Sequence, residues 1–167
     1  MHAASIERVG VGTDIHRLEV GRILKLGGIE IEFDRGLKGH SDGDVVLHAT
    51  ADALLGAAGL PDIGEQFPDD DPRYKDADSR TLVSSVVALV AELGFEPSNV
   101  DVVIHAERPK LTAYKMAMRQ SLAGLLALPP ERVNIKAKTH EGLDAVGRGE
   151  AIACTAVVGL GRPANTS

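Results

Sequence analysis

The sequence predicts an α+β fold: a mixed β-sheet covered by helices on one face, with a small hairpin beside it. Two observations carry this expectation. Apolar residues alternate with a period of two in some segments and recur every three or four positions in others. The expected order is strand, hairpin, long helix, loop, helix, strand, helix, strand, loop, strand, a mixture in which strands and helices are interleaved without a strict repeat.

Arg8 to Val11 is the first expected strand. Ile23 to Leu26 and Ile29 to Phe33 alternate on either side of Gly27-Gly28, a hairpin signal because glycine accepts positive φ without a Cβ clash. Lys38 and Gly39 lead into a helix. Ser41 with Asp44 three residues later has the form of a capping box with Asp in the Glu position, so the helix is expected to start there and run through the Ala- and Leu-rich stretch to Ala58. Gly59-Leu60-Pro61 ends it. Asp62 to Asp78 contains Gly64, Pro68, Pro72 and the acidic run Asp69-Asp70-Asp71, and its length marks a functional loop, expected as a mobile flap.

Ser79 is expected to cap a second helix whose Leu82, Val83, Val86, Val87, Val90 and Leu93 recur at three and four, with Gly94 terminating it and its apolar side covering the sheet. Val100 to Ala106 is the next strand, broken by Pro109. A third helix from about Thr112 to Leu126 precedes Pro129-Pro130, and Val133 to Lys138 and Ala151 to Leu160 are the last strands. Residues 1–167 read as one domain with no repeat or linker, and 1–5 and 162–167 as frayed ends.

The chain has 167 residues, 44% of them hydrophobic, which suffices for a single core. Its formal charge of -6, with no run among its 18 Lys and Arg, argues against a nucleic-acid binder. Any anionic ligand must then be held locally by a metal, a few cations or backbone N–H groups. Cys154 has no partner for an internal disulfide and lies in an apolar run, the setting of a buried inert thiol in a reducing compartment. The first ten residues carry no basic segment followed by an apolar stretch, and no window approaches the ~18 apolar residues a membrane span needs. A cytoplasmic protein without membrane contacts is expected.

Three segments carry chemistry and together read as a metal-assisted phosphate site: Gly12 to His16, His40 to Asp44 running into His48, and Thr139-His140-Glu141 before Gly147-Arg148-Gly149-Glu150. Asp14 and His16 lie two apart after the first strand and would leave its exit on one face. His48 completes a His2-Asp set, which leaves a tetrahedral Zn2+ one open position for a substrate oxygen. On the expected helix His48 falls one turn after Asp44 and one before Asp52, a polar stripe on an otherwise apolar helix. Asp44 and Asp52 fit either capping and packing roles or orientation of the His48 ring. His40 and Ser41 precede the same helix, where free N–H groups and the dipole favour a phosphate. Asp62-Ile63-Gly64 opens the flap with a carboxylate suited to hydroxyl recognition.

Gly10-Val11-Gly12-Thr13-Asp14-Ile15-His16, His40-Ser41-Asp42-Gly43-Asp44, Asp62-Ile63-Gly64 with Phe67-Pro68-Asp69, Pro109-Lys110 and Gly147-Arg148-Gly149-Glu150 occur in this order. Together they resemble the 2-C-methyl-D-erythritol 2,4-cyclodiphosphate synthase family of the non-mevalonate isoprenoid pathway, over nearly the whole chain. The resemblance implies a lyase that converts 4-diphosphocytidyl-2-C-methyl-D-erythritol 2-phosphate to the cyclic diphosphate and CMP, the substrate's 2-phosphate attacking its own β-phosphorus. It implies Zn2+ at Asp14, His16 and His48, and Mg2+ or Mn2+ at Glu141. His40 and Thr139 match the family's transition-state stabilisers.

On the same basis the substrate would touch Asp14, Ile15 and His16 on the first strand, and His40 and Ser41 before the helix. In the flap it would meet Asp62, Ile63, Gly64, Phe67 and Asp69. Ala106, Pro109, Lys110 and Leu111 match the cytidine-binding loop. Lys138, Thr139, His140, Glu141, Ala145 and Arg148 complete the implied contacts. The resemblance further implies a homotrimer with active sites between subunits, Arg148 and Glu150 lining its central channel. Lys138 replaces a small hydroxyl residue common in the family and adds positive charge near the diphosphate. Ala145 replaces a bulky apolar residue near the trimer axis. The competing readings are a Zn-dependent phosphoesterase and a noncatalytic nucleotide- or isoprenoid-phosphate-binding trimer.

Overall fold

The structure is a computed structural model describing residues 5–164. From the N-terminus come β1 (Arg8–Val20), β2 (Leu24–Leu26), β3 (Ile29–Ile31), β4 (Arg35–Leu37), α1 (Val45–Ala58), α2 (Ile63–Gln66) and α3 (Ser79–Glu92). There follow β5 (Glu96–His105), α4 (Lys115–Leu125), β6 (Val133–Lys138), α5 (Asp144–Gly147) and β7 (Ala151–Gly161). β2 and β3 form the expected hairpin, and the other five strands form one sheet in the order β4-β1-β7-β5-β6. All neighbours are antiparallel except β5 and β6. The mixed sheet with helices is the α+β class the sequence predicts.

The core lies between the sheet and its helices. Leu47, Leu54 and Leu55 of α1, Val83, Val86 and Val90 of α3, and Met118 and Leu122 of α4 are buried with Ile104, Ile152 and Leu160 of the sheet. Among the described residues the opposite face of the sheet carries no helix, and Val9 (64% exposed), Val11 (64%), Ile15 (57%) and Val157 (40%) stand there in the open. No helix among the described residues is long and apolar enough to cross a membrane.

Two glycines decide how α1 sits. A Cβ on Gly10 would lie 2.0 Å from the Ala53 carbonyl oxygen, and one on Gly12 the same distance from that of Ala49. Only a strand without side chains at those two positions lets the helix backbone rest directly on it.

Several expectations need correction. β1 does not stop at Val11: it runs to Val20, 13 residues in all, pairing with β7 from Arg8 to Arg17 and with β4 from Leu18 to Val20. Asp14 and His16 therefore sit within the strand. Its polar residues hide the continuation because they are recruited to a site. The cap of α1 is Asp44, not Ser41, and that of α3 is Asp78, not Ser79, each Asp accepting backbone N–H bonds from the first turn.

The segment 62–78 is no plain loop, since it contains α2 and a short turn of 3-10 helix at Pro72–Tyr74. The helix α3 packs chiefly on α1 and meets the sheet mainly at β5. The short elements β4 and α5 were not expected. Of the expected frayed ends, 1–4 and 165–167 lie outside the described residues, while Arg162 pairs with Glu7 (3.2 Å) and stacks over Phe95.

Candidate functional site

The close seating of α1 on β1 brings His48 to Asp14. Asp14 and His16, two apart on the helix side of β1, and His48, one turn into α1, each offer a ligand atom within 4.8 Å of the other two. The Asp14 Oδ2 lies 3.0 Å from His16 Nε2 and 3.0 Å from His48 Nδ1. Burial alone would raise the Asp14 carboxyl, but hydrogen bonds from both imidazoles outweigh it and hold Asp14 well below the usual carboxylate range. The Asp14 hydrogen bond raises His16, against a smaller opposing effect of burial. Two imidazoles and one carboxylate converging at such separations suit a borderline divalent metal such as Zn2+ and leave a coordination position open.

The second nitrogen of His48 is also held. Its Nε2 lies 2.9 Å from Ser79 Oγ and 3.1 Å from Ser41 Oγ, and Ser79 Oγ donates in turn to Asp42 Oδ1. Asp42 Oδ2 accepts the Ser79 N–H at 3.1 Å, which locks the serine rotamer. A histidine whose remote nitrogen is fixed through a hydroxyl to a carboxylate keeps one ring orientation for its ligand nitrogen. The hydroxyls that resembled caps are recruited here, and the sequence reading missed Ser79 and Asp42 as members of the site.

The polar stripe on α1 divides by role. Asp44 is fully buried and accepts from the backbone N–H groups of Gly27 (2.9 Å), Gly28 (2.7 Å), Val46 and Leu47. It thus ties the hairpin turn to the start of α1. Burial pushes its carboxyl up, partly offset by those donors. Asp52 accepts the Ile63 N–H at 2.9 Å and anchors the flap segment. Of the three, only His48 belongs to the triad.

A cleft of about 210 Å³ opens over the triad, lined by Asp14, His16, His40, Ser41, His48 and, from the flap, Ile63, Gly64, Phe67 and Asp69. Tyr74, Ala77 and Leu82 close it, which the sequence reading did not anticipate. His40 and Asp69 face each other across the rim, Nε2 to Oδ2 3.9 Å. Ile15 points away, onto the bare face of the sheet, and Asp62 caps α2 through the Glu65 N–H.

The residues that the family resemblance assigns to the nucleotide lie elsewhere. Asp14 pairs with Cys154, Cys154 with Ile104 and Ile104 with Ala137, so the ends of β5 and β6 are two and three strands away, roughly 10 and 14 Å. Ala106, Pro109, Lys110 and Leu111 follow β5, and Lys138, Thr139, His140 and Glu141 lie at the end of β6 and just after it, with the Ala106 N–H donating to the Lys138 carbonyl (2.9 Å). None of these residues lines the cleft over the triad. Ala145 is in α5, and Arg148 pairs with Glu150 at 2.9 Å on the surface.

Beside this edge is a cluster the sequence reading overlooked, His105 with His140 and Asp144. Burial, then the neighbouring His140, holds His105 below the ordinary imidazole range. A lone His in the apolar alternation of Val100 to Ala106 was its visible trace.

A glycine-seated helix that closes a His2-Asp triad over a mixed sheet places the chain in a defined class: residues 7–161 match the YgbB family, and the chain belongs to it. The relatives carry a more specific name. A curated protein of Gloeobacter violaceus, 56% identical over 151 residues that cover 90% of this chain and 93% of its own, is a 2-C-methyl-D-erythritol 2,4-cyclodiphosphate synthase. A solved synthase of that name in a CDP-bound form superposes with a TM-score of 0.86 at 42% identity, over 92% of this chain and 99% of its own. The bifunctional IspDF of Campylobacter jejuni matches with a TM-score of 0.91 at 44% identity; the match covers 95% of this chain but 43% of that longer one.

Proposed function

We propose that this chain converts 4-diphosphocytidyl-2-C-methyl-D-erythritol 2-phosphate to 2-C-methyl-D-erythritol 2,4-cyclodiphosphate and CMP, in isoprenoid precursor biosynthesis in the cytoplasm. The observation that carries the reading is the convergence of Asp14, His16 and His48 beneath a cleft rimmed by His40, Ser41 and Asp69. It is supported by relatives named for that activity and by a CDP-bound structure among them. When bound, Zn2+ at the triad polarises a β-phosphate oxygen, and Mg2+ or Mn2+ at Glu141 neutralises diphosphate charge.

The protein needs no nucleophile of its own, because an oxygen of the substrate's 2-phosphate attacks the β-phosphorus while the bond to CMP breaks. Its residues bind and orient. His40 and Ser41 at the rim of the cleft receive phosphate oxygens, the first-turn N–H groups of α1 being taken by Asp44, and the Thr139 hydroxyl donates to the diphosphate; one well-aimed donor of this kind is worth about 3 kcal/mol in the transition state. The flap residues Asp62, Ile63, Gly64, Phe67 and Asp69 cover the polyol and exclude water. Ala106 to Leu111 hold the cytosine, and Lys138 adds a cation at the diphosphate.

The chain works as a homotrimer in this reading. The triad cleft of one copy and the nucleotide edge of the next form a complete site, which accounts for the separation of the two regions within one chain. The bare sheet face with Val9, Val11, Ile15 and Val157 provides the apolar surface between copies. Arg148 and Glu150 line the axis.

Incubating the protein with the diphosphocytidyl substrate, Zn2+ and Mg2+ and following 31P NMR tests the reading. CMP and a cyclic diphosphate are expected, with no 18O entering from labelled water. Incorporation of 18O would make the protein a phosphoesterase, and binding without turnover would leave it a carrier.

A further inference from the structure

The turn after β6 carries Thr139 and Glu141 in a conformation the backbone resists. Glu141 (φ 54°) and Asp144 (φ 59°) both adopt the left-handed region without being glycine. A Cβ on Gly147 would lie 2.3 Å from the Gly142 carbonyl carbon, so the turn is folded tightly against α5. Such a segment keeps its shape only where its surroundings fix it.

Here the fixing runs through His140. Its Nδ1 lies 2.8 Å from Asp144 Oδ2, its Nε2 lies 3.0 Å from His105 Nδ1, and its backbone N–H donates to Glu107 Oε2 at 3.3 Å. The other Asp144 oxygen accepts the N–H groups of Val146 (2.8 Å) and Gly147 (3.3 Å), so the carboxylate is itself immobilised. Ionised Asp144 accepts from His140 Nδ1–H, and the bond between His140 Nε2 and His105 Nδ1 is donated by whichever ring carries the proton there, so every partner is satisfied. His105 ends β5, immediately before the loop 106–111, so the chain of bonds crosses from the turn of β6 to that loop.

We infer that Asp144, His140 and His105 form a positioning chain that fixes Thr139 and Glu141 relative to the loop 106–111, so that one nucleoside diphosphate meets both. The inference rests on the proposed function. His105 and Asp144 are positioning residues, acting on the ligand through His140 and the two segments it joins.

The test is calorimetric binding of CDP in the presence of Mg2+, with CMP as the control lacking the β-phosphate, and thermal unfolding alongside. His105→Leu removes the imidazole bond but keeps an apolar strand residue. Asp144→Gly removes the carboxylate while leaving φ 59° freely accessible. Each is expected to weaken CDP about tenfold, CMP by much less, and the double variant no more than the weaker-binding single, because both act through one ring. His105→Asn restores a polar partner near the Nδ1 position, its amide able to donate or accept, and is expected to recover most of the CDP affinity.

Unchanged CDP affinity in both single variants would overturn the inference, as would losses that multiply in the double variant or fall equally on CMP. Lowered melting temperature in the Leu variant with no rescue by Asn would reduce His105 to a packing residue. A wild-type chain that neither binds CDP nor releases CMP would instead remove the proposed function and this inference with it.

Discussion

The corner where β1 meets α1 and the edge beyond β5 and β6 hold their functional groups by opposite means. At the corner, backbone rests on backbone at Gly10 and Gly12, and the triad follows from how the core packs. At the edge, Lys138, Thr139 and Glu141 are exposed, and their placement depends on a few side-chain bonds around a turn with two left-handed non-glycine residues. A metal demands fixed ligands, and the candidate triad sits where helix and strand backbones touch. In the proposed function a nucleotide arrives and leaves at this edge, and its contacts would sit where adjustment is inexpensive.

The largest effect that would break this contrast is Gly12→Val. A side chain there drives into the Ala49 carbonyl and lifts α1, and a loss of about 3 kcal/mol or more is expected, read by denaturant unfolding. A stable Gly12→Val protein would show that the helix tolerates displacement and that the corner is not rigid.

His48→Ala is next. It should abolish turnover by more than the ~100-fold that loss of an outer partner costs, with the fold intact by circular dichroism and bound zinc absent by elemental analysis. Retained activity with only a lower melting temperature would make His48 a packing residue.

Ser79→Ala sharpens the picture of the corner. Zinc affinity measured by chelator competition should fall roughly tenfold, since Ser41 Oγ keeps one hold on the ring while the link to Asp42 is lost. An unchanged affinity would show that packing alone orients His48.

The smallest effect is on pH. In the metal-free protein Asp14, held below its ordinary 3.8, contributes stability above that value and loses it as pH falls through the lowered one. His16, raised above 6.5, contributes below 6.5 and loses its share as pH rises through the raised value. The pair therefore stabilises the metal-free chain most between about pH 4 and 6.5, whereas metal requires neutral His16 and stabilises increasingly above that window. Melting temperatures with and without Zn2+ from pH 4 to 8 should diverge as pH rises; parallel curves would mean the metal does not displace the His16 proton.

How far the sequence disclosed each region follows the same contrast. Asp14-x-His16 is legible because a strand's period of two puts both on one face, and His48 because a histidine on a helix otherwise filled with Ala and Leu calls for a reason. The extent of β1 was not, since Thr13, Asp14, His16 and Arg17 interrupt the apolar pattern that marks a strand; function overrides the local signal there. Ser41 and Ser79 sit where caps belong, and nothing local distinguishes a capping hydroxyl from one turned toward a ring 31 residues away in sequence, as Ser79 is toward His48. At the edge beyond β5 and β6 only the family resemblance singles out residues, because a turn held by His105 from another strand leaves no periodic trace.

Cys154 lies beneath this arrangement, paired across the sheet with Asp14 on one side and Ile104 on the other. It is 1% exposed, and burial pushes its thiol far above the ordinary range. Its side chain lies on the face of β7 that α1 covers, so a sulfhydryl reagent can reach that sulfur only after α1 lifts from the sheet or the strands around it part, and the rate of labelling counts those openings. The chain thus carries its own stopwatch for the floor under its metal ligands, and zinc should slow it.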